Sequence, residues 1–428
     1  MATLKFKEPS PYKRERPKAP EVDFLYSSFL NDVELQFTDR QIVQLALFGV
    51  GRADVHLEPS TVSCMSSSHK NIKYNVAHVK IEIIEVKVQR FQTQRMHLNR
   101  RVFHLFITHA PRNAGSIHLS GLACNPRLKL LYVVDDVQDK WDAIKQYWKL
   151  DDTQFLCSSD ADKVFQDPRA LMHGKDVFCE KPVAESISGA ERCYKQAQKA
   201  GKLLFCAFQR RFDPAVSNIK QRVRGGEVGH VHVIKTCSRD SQLPSLEYLR
   251  SSSGIFHDTA VHDIDLICWI LGEYPTCVAT QASALTPEIA DIGDYDTIVI
   301  TLKFPSGTLG IIDISRLSSH GYDQRVEVFG PQGMLVSSNE RPMPGIESHT
   351  GLQGCNTIPI YYSFPSRYKM AYLNEMEHFL NILQGKTKPA ILGHEILAVS
   401  KIASACEKSA RTGQFVQLQW EPEDIPPH

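Results

Sequence analysis

Short apolar runs alternate with amphipathic stretches in the first half of the chain. Residues 42–48, 128–134 and 203–208 are apolar runs with the length of strands that are buried on both faces. Residues 186–200 have the periodicity of a helix, and Gly201 follows where that helix should end. Strands separated by helices in this order predict a parallel sheet covered by helices, as in dinucleotide-binding domains.

The second half of the chain has a different pattern. Pro-Ser-Gly at 305–307 and Pro-Gln-Gly at 331–333 are tight-turn sequences between runs of strand length. Helices are predicted at residues 368–384 and 395–412. The fold class is therefore expected to be an α/β Rossmann-like cofactor domain, interrupted as described below, plus an α+β domain with a mostly antiparallel sheet. The strands predicted for that sheet are residues 230–236, 277–282, 297–304, 309–314, 325–329 and 334–337.

The 428 residues divide into three predicted regions. Residues 1–40 are rich in proline and basic residues and are predicted to be a disordered leader. Residues 41–209 are predicted to form the dinucleotide-binding domain, and residues 210–420 a substrate-binding and oligomerisation domain. A chain of this length can supply both domains with a core of their own.

The stretch 254–272 is predicted to be one helix with its chemistry on one face. Asp258, His262 and Asp265 are four and three residues apart, which on a helix places them on the same side. Gly272 is positioned to end this helix. A carboxylate one turn from an imidazole can orient the ring and stabilise its charged form, as a proton acceptor near neutral pH requires. The alternative is an ordinary Asp–His pair on a surface helix.

The first apolar run leads into a glycine-rich turn. Gly49 and Gly51 have the spacing of the first two glycines of a dinucleotide-binding turn, but the third glycine is absent from its place. If the alanine at 53 were joined to Gly115, the sequence would read Gly-Val-Gly-Arg-Ala-Gly, followed by a helix. These glycines permit the tight turn, the approach of the pyrophosphate and the packing of the helix on the strand. Residues 54–114 are therefore predicted to be an insertion.

An acidic pair ends the strand predicted after that helix. Asp135 and Asp136 follow residues 128–134, at about the 20-residue distance from the last glycine that the dinucleotide fingerprint requires. An acid there accepts hydrogen bonds from the ribose hydroxyls and repels a 2′-phosphate. NAD is therefore favoured over NADP as the cofactor.

Two departures interrupt the predicted cofactor domain. Segment 54–114 is rich in Lys, Arg, Ser and His, and we interpret it as sequence foreign to the fold in preference to a basic interaction module. Near residue 168 the chain passes directly into residues 169–175, which resemble the end of a helix. A strand and most of a helix are therefore predicted to be missing. The loss of that strand would open the centre of the sheet and remove part of the cofactor seat.

A second landmark is the sequence Phe-Cys-Glu-Lys-Pro, which follows a short apolar run. It places Lys181 at the carboxyl end of a strand, where open α/β sheets bind ligands. Together with Asp258 and His262, this turn resembles the glucose–fructose oxidoreductase, inositol dehydrogenase and MocA family. Phe-Gln-Arg-Arg-Phe at 208–212 and the segment 321–330 extend the resemblance. The inositol 2-dehydrogenase branch is the most similar.

The resemblance covers most of the chain from Val177 onward and implies an NAD-dependent dehydrogenase that acts on a polyol or sugar hydroxyl. For hydride transfer from a secondary alcohol, His262 is assigned as the base and Asp258 as its partner. Lys181 is assigned to stabilise the developing alkoxide. Glu180 is expected to contact the cofactor together with Lys181. The candidates for polyol recognition are Arg210, Asp240, Asp265 and Tyr322.

Composition narrows the function classes. A net charge of +1 gives no bulk attraction to nucleic acid or acidic membranes, and no apolar run is long enough to span a bilayer. The 11 cysteines include no Cys-x-x-Cys pair, which favours a reduced, cytoplasmic protein. No HExxH motif or second cluster of ligands supports a metal site beside Asp258 and His262, so no metal is expected.

Two functions stay open from the sequence alone. The first is a polyol dehydrogenase that assembles as a homo-oligomer, with the open face of the antiparallel sheet as a contact surface. The second is a relative that keeps the substrate domain but cannot bind NAD productively, and acts at most as a binding protein. For Arg210 and Asp265, a structural ion pair is the alternative to substrate binding. Nucleic-acid binding through segment 54–114 is a weaker third idea.

Overall fold

The computed structural model describes residues 43–48, 84–86, 103–108, 113–160, 176–184, 186–345, 347–350 and 354–421. Three predicted features lie outside these residues: the leader at 1–40, the glycine turn with Gly49 and Gly51, and the junction near residue 168. Those predictions stay open, and the structure addresses the strands and helices on either side of them.

The described elements alternate between strands and helices and end with two long helices. The strands are β1 (Val43–Phe48), β2 (Ile84–Val86), β3 (Phe103–Thr108), β4 (Leu128–Val134), β5 (Gln154–Leu156), β6 (Asp176–Glu180), β7 (Leu204–Ala207), β8 (Val233–Arg239), β9 (Cys277–Ser283), β10 (Thr297–Lys303), β11 (Leu309–Ser315), β12 (Asp323–Gly330), β13 (Gly333–Ser337), β14 (Glu347–Thr350), β15 (Gly354–Thr357) and β16 (Val416–Gln417). The α-helices are α1 (Asn113–Ala123), α2 (Trp141–Trp148), α3 (Ile187–Lys199), α4 (Pro214–Arg224), α5 (Leu246–Ser251), α6 (Val261–Leu271), α7 (Pro287–Asp291), α8 (Phe364–Arg367), α9 (Lys369–Leu383) and α10 (Gly393–Thr412).

The first sheet is parallel along the order β5-β4-β3-β1-β6-β7, and the short β2 pairs antiparallel with β6. Phe178 of β6 stacks on Phe205 of β7 with their ring centroids 5.4 Å apart, and both side chains are fully buried. Phe379 of α9 contacts both rings from one face of the sheet. This packing confirms the predicted Rossmann-like sheet.

The position of β1 corrects one expectation. β1 pairs with β3 on one side, where Phe48 lies opposite Thr108, and with β6 on the other. β1 therefore occupies the centre of the sheet, and the predicted opening at that place is wrong. Strand β3, which comes from within segment 54–114, is the strand that precedes α1 along the chain. Its sequence, Phe-His-Leu-Phe-Ile-Thr, is rich in residues that favour strands, which the compositional interpretation of the segment as a whole overlooked.

The second sheet has the order β13-β12-β8-β11-β10-β9-β16. β8 and β11 are parallel and the other neighbours are antiparallel, which confirms the predicted mostly antiparallel sheet. Side chains alternate between a buried inner face and an exposed outer face, as the period of a strand requires. Helices α6 and α10 pack on the inner face. The fully buried side chains there include Ile298, Ile300, Ile312, Ile314 and Val328.

Within the described residues, no helix combines the length and the apolar character that a bilayer crossing requires. The outer face of the second sheet carries exposed apolar side chains instead. They are Val299, Leu309, Phe329, Met334 and Val336.

Candidate active site

Lys181 lies at the carboxyl end of β6, as the sequence predicts. The two residues that anchor this end of the strand, Phe178 and Cys179, are fully buried, so the turn that follows has a fixed origin. The Nζ of Lys181 donates to the carbonyl oxygen of Asp258 at 2.5 Å and to its carboxylate Oδ1 at 3.0 Å. Because both the main chain and the side chain of Asp258 are bound, the contact depends on the backbone conformation around Asp258.

The carboxylate of Asp258 has two further partners. The phenol of Tyr248 donates to Oδ1 at 2.8 Å, and the guanidinium of Arg316 lies 3.4 Å from Oδ2. Burial alone would raise the pKa of Asp258, but the positive charges of Lys181 and Arg316 outweigh burial and lower the pKa to about 2. Asp258 is therefore a permanent anion that holds Lys181, and it is a poor proton acceptor.

The helix that carries Asp258 is not one continuous α-helix, which corrects the prediction for residues 254–272. Phe256–Ala260 form a π-helical turn, and α6 begins only at Val261. A π turn contains one more residue than an α turn, so Asp258 and His262 do not lie on one regular α-helical face. Gly272 ends α6 in the left-handed conformation with φ 74°, as predicted.

His262 has an environment different from the one expected. Its side chain is 8% exposed and packs edge-to-face on Phe208, with ring centroids 5.6 Å apart. Among the described residues, Nδ1 of His262 has no hydrogen-bond partner, and Asp258 binds Lys181, Tyr248 and Arg316 instead. The assignment of Asp258 as the direct partner that orients His262 is therefore wrong for this structure.

Burial and two cations set the charge of His262. Burial lowers the pKa of its imidazole well below the usual range, and the charges of Lys181 and Arg210 lower it further. The ring is thus neutral at neutral pH, which is the state a proton acceptor needs. The predicted role of His262 as a base is compatible with this environment, although the cause is desolvation and not an adjacent carboxylate.

Three candidates for polyol recognition cluster near these residues. Arg210 is buried, and its guanidinium contacts Ser238 at 2.8 Å and Asp263 at 3.2 Å. Its carbon Cζ lies 5.4 Å from the ring of Tyr368, which packs edge-to-face against Tyr322 with centroids 6.1 Å apart. Arg210 and Tyr322 are therefore joined through one aromatic ring.

Asp240 follows β8 and lies within the electrostatic reach of the same cations. Burial raises its pKa to about 6, against the opposing charges of Arg316, Arg210 and Lys181. A half-buried carboxyl group that titrates near neutral pH can either donate or accept a hydrogen bond. The structure thus brings Asp240 to the cluster that also contains Arg210.

Asp265 is the candidate that the structure places elsewhere. It is 0% exposed, and its carboxylate binds Arg211 through contacts of 2.6 and 2.9 Å. Arg211 also reaches Glu395 at 3.1 Å. The predicted alternative of a structural ion pair therefore describes Asp265, whose partner is Arg211, whereas the ion pair of Arg210 is with Asp263.

The predicted cofactor residues that are described occupy the carboxyl edge of the first sheet. Gly115 is buried as the third residue of α1. Asp135 follows β4, and its Oδ1 accepts from the main-chain nitrogen of Val137 at 2.7 Å. Asp136 is exposed and accepts from Ser158, at 2.8 Å from the main-chain nitrogen and 2.7 Å from the hydroxyl.

Glu180 has a different partner from the expected one. Its Oε1 lies 2.6 Å from Nε2 of His118 in α1, and both side chains are buried. The contact joins α1 to the turn that carries Lys181. Glu180 therefore connects the two elements in the protein interior, and no contact with a cofactor follows from its position.

Sequence reasoning missed Tyr248 and Arg316. Tyr248 lies in the short helix α5, ten residues before Asp258, and Arg316 directly follows β11. Neither position has a spacing that marks it as functional. The only local signal is that Arg316 comes directly after an apolar run with the length of a strand.

A cavity of about 420 Å³ adjoins Lys181 between the N-terminal part of α3, the π turn and α10. Phe208, His257 and Val261 line it, whereas Arg210 and Tyr322 do not. No group of three or more His, Cys, Asp or Glu side chains suited to a metal ion occurs in the described part of the chain.

Comparisons with known proteins agree with this architecture. A family model described as “Oxidoreductase family, NAD-binding Rossmann fold” matches residues 157–208, and one described as “GFO/IDH/MocA C-terminal domain” matches residues 216–336. Myo-inositol 2-dehydrogenase of Thermotoga maritima is 37% identical over 246 residues, which cover 57% of this chain and 73% of that relative. Inositol 2-dehydrogenase of Rhizobium meliloti is 32% identical over 321 residues, with coverages of 71% and 96%.

The fold is shared with solved structures. The crystal structure of a myo-inositol dehydrogenase from Corynebacterium glutamicum superimposes with a TM-score of 0.63 at 28% identity, covering 74% of this chain and 98% of that one. The chain belongs to the GFO/IDH/MocA family of oxidoreductases. The predictions of the family, of an oxidoreductase acting on CH–OH groups and of NAD as the cofactor are confirmed at this level.

Proposed function

We propose that the protein oxidises a secondary hydroxyl of an inositol-like polyol, with NAD as the hydride acceptor. The observation that carries this proposal is the contact of Lys181 with Asp258 beside the neutral ring of His262. The names of the relatives support the substrate class, because those from Thermotoga maritima and Rhizobium meliloti are both inositol dehydrogenases.

The residues present at the carboxyl edge of the first sheet fit a dinucleotide. The acidic pair directly follows β4, with Asp135 buried and Asp136 exposed, at the strand end where a ribose would lie. Gly115 is buried near the start of α1, so this helix can pack closely on the sheet. When bound, NAD supplies the nicotinamide ring that accepts the hydride. The proposal assigns Asp135, Asp136 and Gly115 to its binding, with Gly49 and Gly51 as the residues of the turn.

The proton is handled by the protein's own side chains. The neutral imidazole of His262 accepts the proton of the reacting hydroxyl. Lys181 hydrogen-bonds the same oxygen and stabilises the negative charge that develops on it. Asp258 holds Lys181 in place and keeps its charge paired. Arg210, Asp240 and Tyr322 are proposed to bind the other hydroxyls, because their donors and acceptors lie around the same cluster.

One observation favours the second function, a family member that cannot bind NAD productively. The strand that leads into α1 is β3, and the four residues between them, His109–Arg112, contain no glycine. Gly49 instead follows β1 in the sequence, and β1 lies beside β3 with its carboxyl end at the same edge. A pyrophosphate-binding site would therefore combine the residues after β1 with the helix α1, which follows the neighbouring strand β3.

NAD binding separates the two functions. Isothermal calorimetry on the full chain, followed by turnover of myo-inositol and scyllo-inositol, is the test. Binding of NAD at micromolar concentration with turnover of an inositol supports the dehydrogenase. If NAD does not bind while the polyol does, the chain is a binding protein only. Binding of NAD without oxidation of any cyclic polyol would contradict the substrate class.

We also propose that the outer face of the second sheet is a contact surface between copies of this chain. Phe329 lies opposite Val233 and Met334 in the strand register, and Leu309 lies on the other side of Val233. A contiguous exposed apolar patch of this kind marks an interaction surface. Phe329→Asp should lower the oligomer mass measured by light scattering. Leu285→Asp is the control, because Leu285 is also an exposed apolar residue and lies outside the sheet. An unchanged mass in Phe329→Asp contradicts the proposal.

A reducing location fits the cysteines of the described residues. Among the described residues, the buried thiols of Cys206, Cys268 and Cys406 form no disulfide. Burial raises the pKa of the Cys206 thiol well above its usual range, so this thiol is an inert core group. The cytoplasmic location predicted from the sequence is part of the proposed function.

A further inference from the structure

Arg316 is a fully buried cation that the proposed chemistry does not use directly. Its side chain is 1% exposed. Among the fully buried side chains of the described residues, it is the largest. It directly follows β11, and its main-chain nitrogen donates to the carbonyl oxygen of Asp296 at 2.8 Å. The backbone of Arg316 is therefore fixed by the second sheet, and its guanidinium projects from that fixed point.

The guanidinium bridges two carboxylates. One nitrogen lies 3.4 Å from Oδ2 of Asp258, and another lies 3.3 Å from Oδ2 of Asp294. Among the described residues, the Nε atom of Arg316 has no hydrogen-bond partner. A buried cation without paired anions is strongly unfavourable, so the two carboxylates are what permits Arg316 to be buried.

Asp294 in turn holds the start of the π turn. Its Oδ1 accepts from the main-chain nitrogen of Ile255 at 3.1 Å. The preceding residue, Gly254, has φ +75°, and a Cβ there would lie 3.3 Å from the same oxygen. Two contacts therefore hold the π turn. Asp294 binds the main chain of Ile255, just before the turn, and Arg316 binds the side chain of Asp258 within it.

The two cations on Asp258 divide its oxygens. Lys181 and Tyr248 take Oδ1, and Arg316 takes Oδ2. A carboxylate that is held at one oxygen only can rotate about its side-chain bonds. Arg316 therefore removes the rotation that would move the hydrogen-bond partner of Lys181.

We propose that Arg316, anchored by Asp294, is a positioning residue that fixes the carboxylate of Asp258 and through it the amine of Lys181. This inference rests on the proposed dehydrogenase function, in which Lys181 contacts the reacting oxygen. The guanidinium of Arg316 contacts the carboxylates of Asp258 and Asp294. Its removal should act on turnover and leave the binding of cofactor and polyol close to normal.

A double-mutant cycle tests this role. Arg316→Met should lower kcat on the order of a hundredfold, the lower end of what a positioned acid–base group contributes, with KM changed by less than about threefold. Arg316→Lys, which keeps the charge, should recover part of the loss. If Arg316 acts through Asp258, then adding Arg316→Met to Asp258→Asn should cause little further loss. Fully additive losses would overturn the proposal.

Two other variants guard against a general loss of stability. Asp294→Asn leaves Asp258 and Lys181 intact and keeps an amide oxygen that can accept from the main-chain nitrogen of Ile255. Because it removes the charge that pairs with Arg316, it should lower kcat about tenfold. Arg211→Lys is the matched control, since it also disturbs a buried arginine that bridges two carboxylates, Asp265 and Glu395. It should lower the melting temperature without changing kcat. An equal loss of kcat in Arg211→Lys would contradict the specific role of Arg316.

A readout that is independent of turnover separates failure of this inference from failure of the proposed function. In protein labelled with ¹³C at aspartate carboxyls, the resonance assigned by Asp258→Asn reports its titration. Its pKa of about 2 should rise in Arg316→Met. An unchanged titration overturns the inference even if the enzyme is active. If the pKa rises but the protein oxidises no polyol, the contact of Arg316 with Asp258 is supported and only the proposed dehydrogenase function is contradicted.

Discussion

The proposed substrate side and the proposed cofactor side of this molecule are built in opposite ways. On the substrate side, Lys181 and Asp258 are 77 positions apart in the chain and meet in a buried network, each with a partner from another element. On the proposed cofactor side, the sequence of the predicted glycine turn follows β1, whereas the helix with Gly115 follows β3. The comparison teaches that a site made of long-range buried contacts is defined by its packing, whereas a motif made of consecutive residues depends on an unbroken chain.

The largest loss of kcat is expected for substitution of Lys181, which tests the proposed substrate side. Lys181→Met removes the donor to the reacting oxygen and leaves Asp258 with Tyr248 and Arg316 as its partners. We expect kcat for an inositol to fall on the order of a thousandfold, as for loss of an oxyanion donor, with NAD affinity by calorimetry changed much less. Lys195→Met is the control, because that lysine is 76% exposed and should leave the rate unchanged. A loss of less than tenfold in Lys181→Met contradicts the assignment.

A somewhat smaller effect is expected at His262, and it has a pH signature. His262→Gln should lower kcat on the order of a hundredfold, within the range of general base catalysis. Since the base acts in its neutral form and its pKa lies well below 6.5, kcat/KM should stay flat from neutral pH down past 6.5 and fall only in more acidic solution. His349→Gln is the control, since its side chain is 70% exposed. An acidic limb centred above pH 6.5 would show that the imidazole is not the buried, neutral group described above.

The smallest kinetic effect is expected for substitution of Asp265. This variant tests whether the charge of Asp265 on α6 serves stability or substrate binding. Asp265→Asn leaves Arg211 buried and only partly paired, so the free energy of unfolding should fall by about 3–5 kcal/mol. The rate constants of the folded enzyme should change less than threefold. Thermal unfolding and steady-state kinetics measure the two quantities. Glu191→Gln, which disturbs an exposed ion pair, should change neither, and a large rise in KM for Asp265→Asn would restore Asp265 as a polyol ligand.

Local signals in the sequence predict most of the elements correctly. Asp213 and Pro214 predict a helix start, and in the structure Asp213 caps α4 by accepting from the main-chain nitrogen of Val216 at 3.2 Å. Gly272 predicts the end of α6 for an equally local reason. Lys181 and His262 were found because their spacing relative to neighbouring residues is characteristic of a family.

The errors arise where the deciding contact is remote in sequence. The sequence around Arg316 gives no signal that its side chain contacts Asp258, which lies 58 positions earlier. A buried ion pair of this kind depends on tertiary packing. The π turn was missed because periodicity analysis assumes a constant number of residues per turn. The opening of the sheet beside β1 was predicted wrongly because an apolar run identifies a buried strand but does not say which neighbours it will have.

The π turn also changes the angular relation between the residues before α6 and the residues within it. A regular α-helix advances every side chain by the same angle, so an aspartate four positions before a histidine must share its face. The turn at Phe256–Ala260 contains one residue more than an α-helical turn, so that regular angle does not hold between Asp258 and His262. In the structure His262 is buried with α6, whereas Asp258 contacts Lys181 from the turn that follows β6.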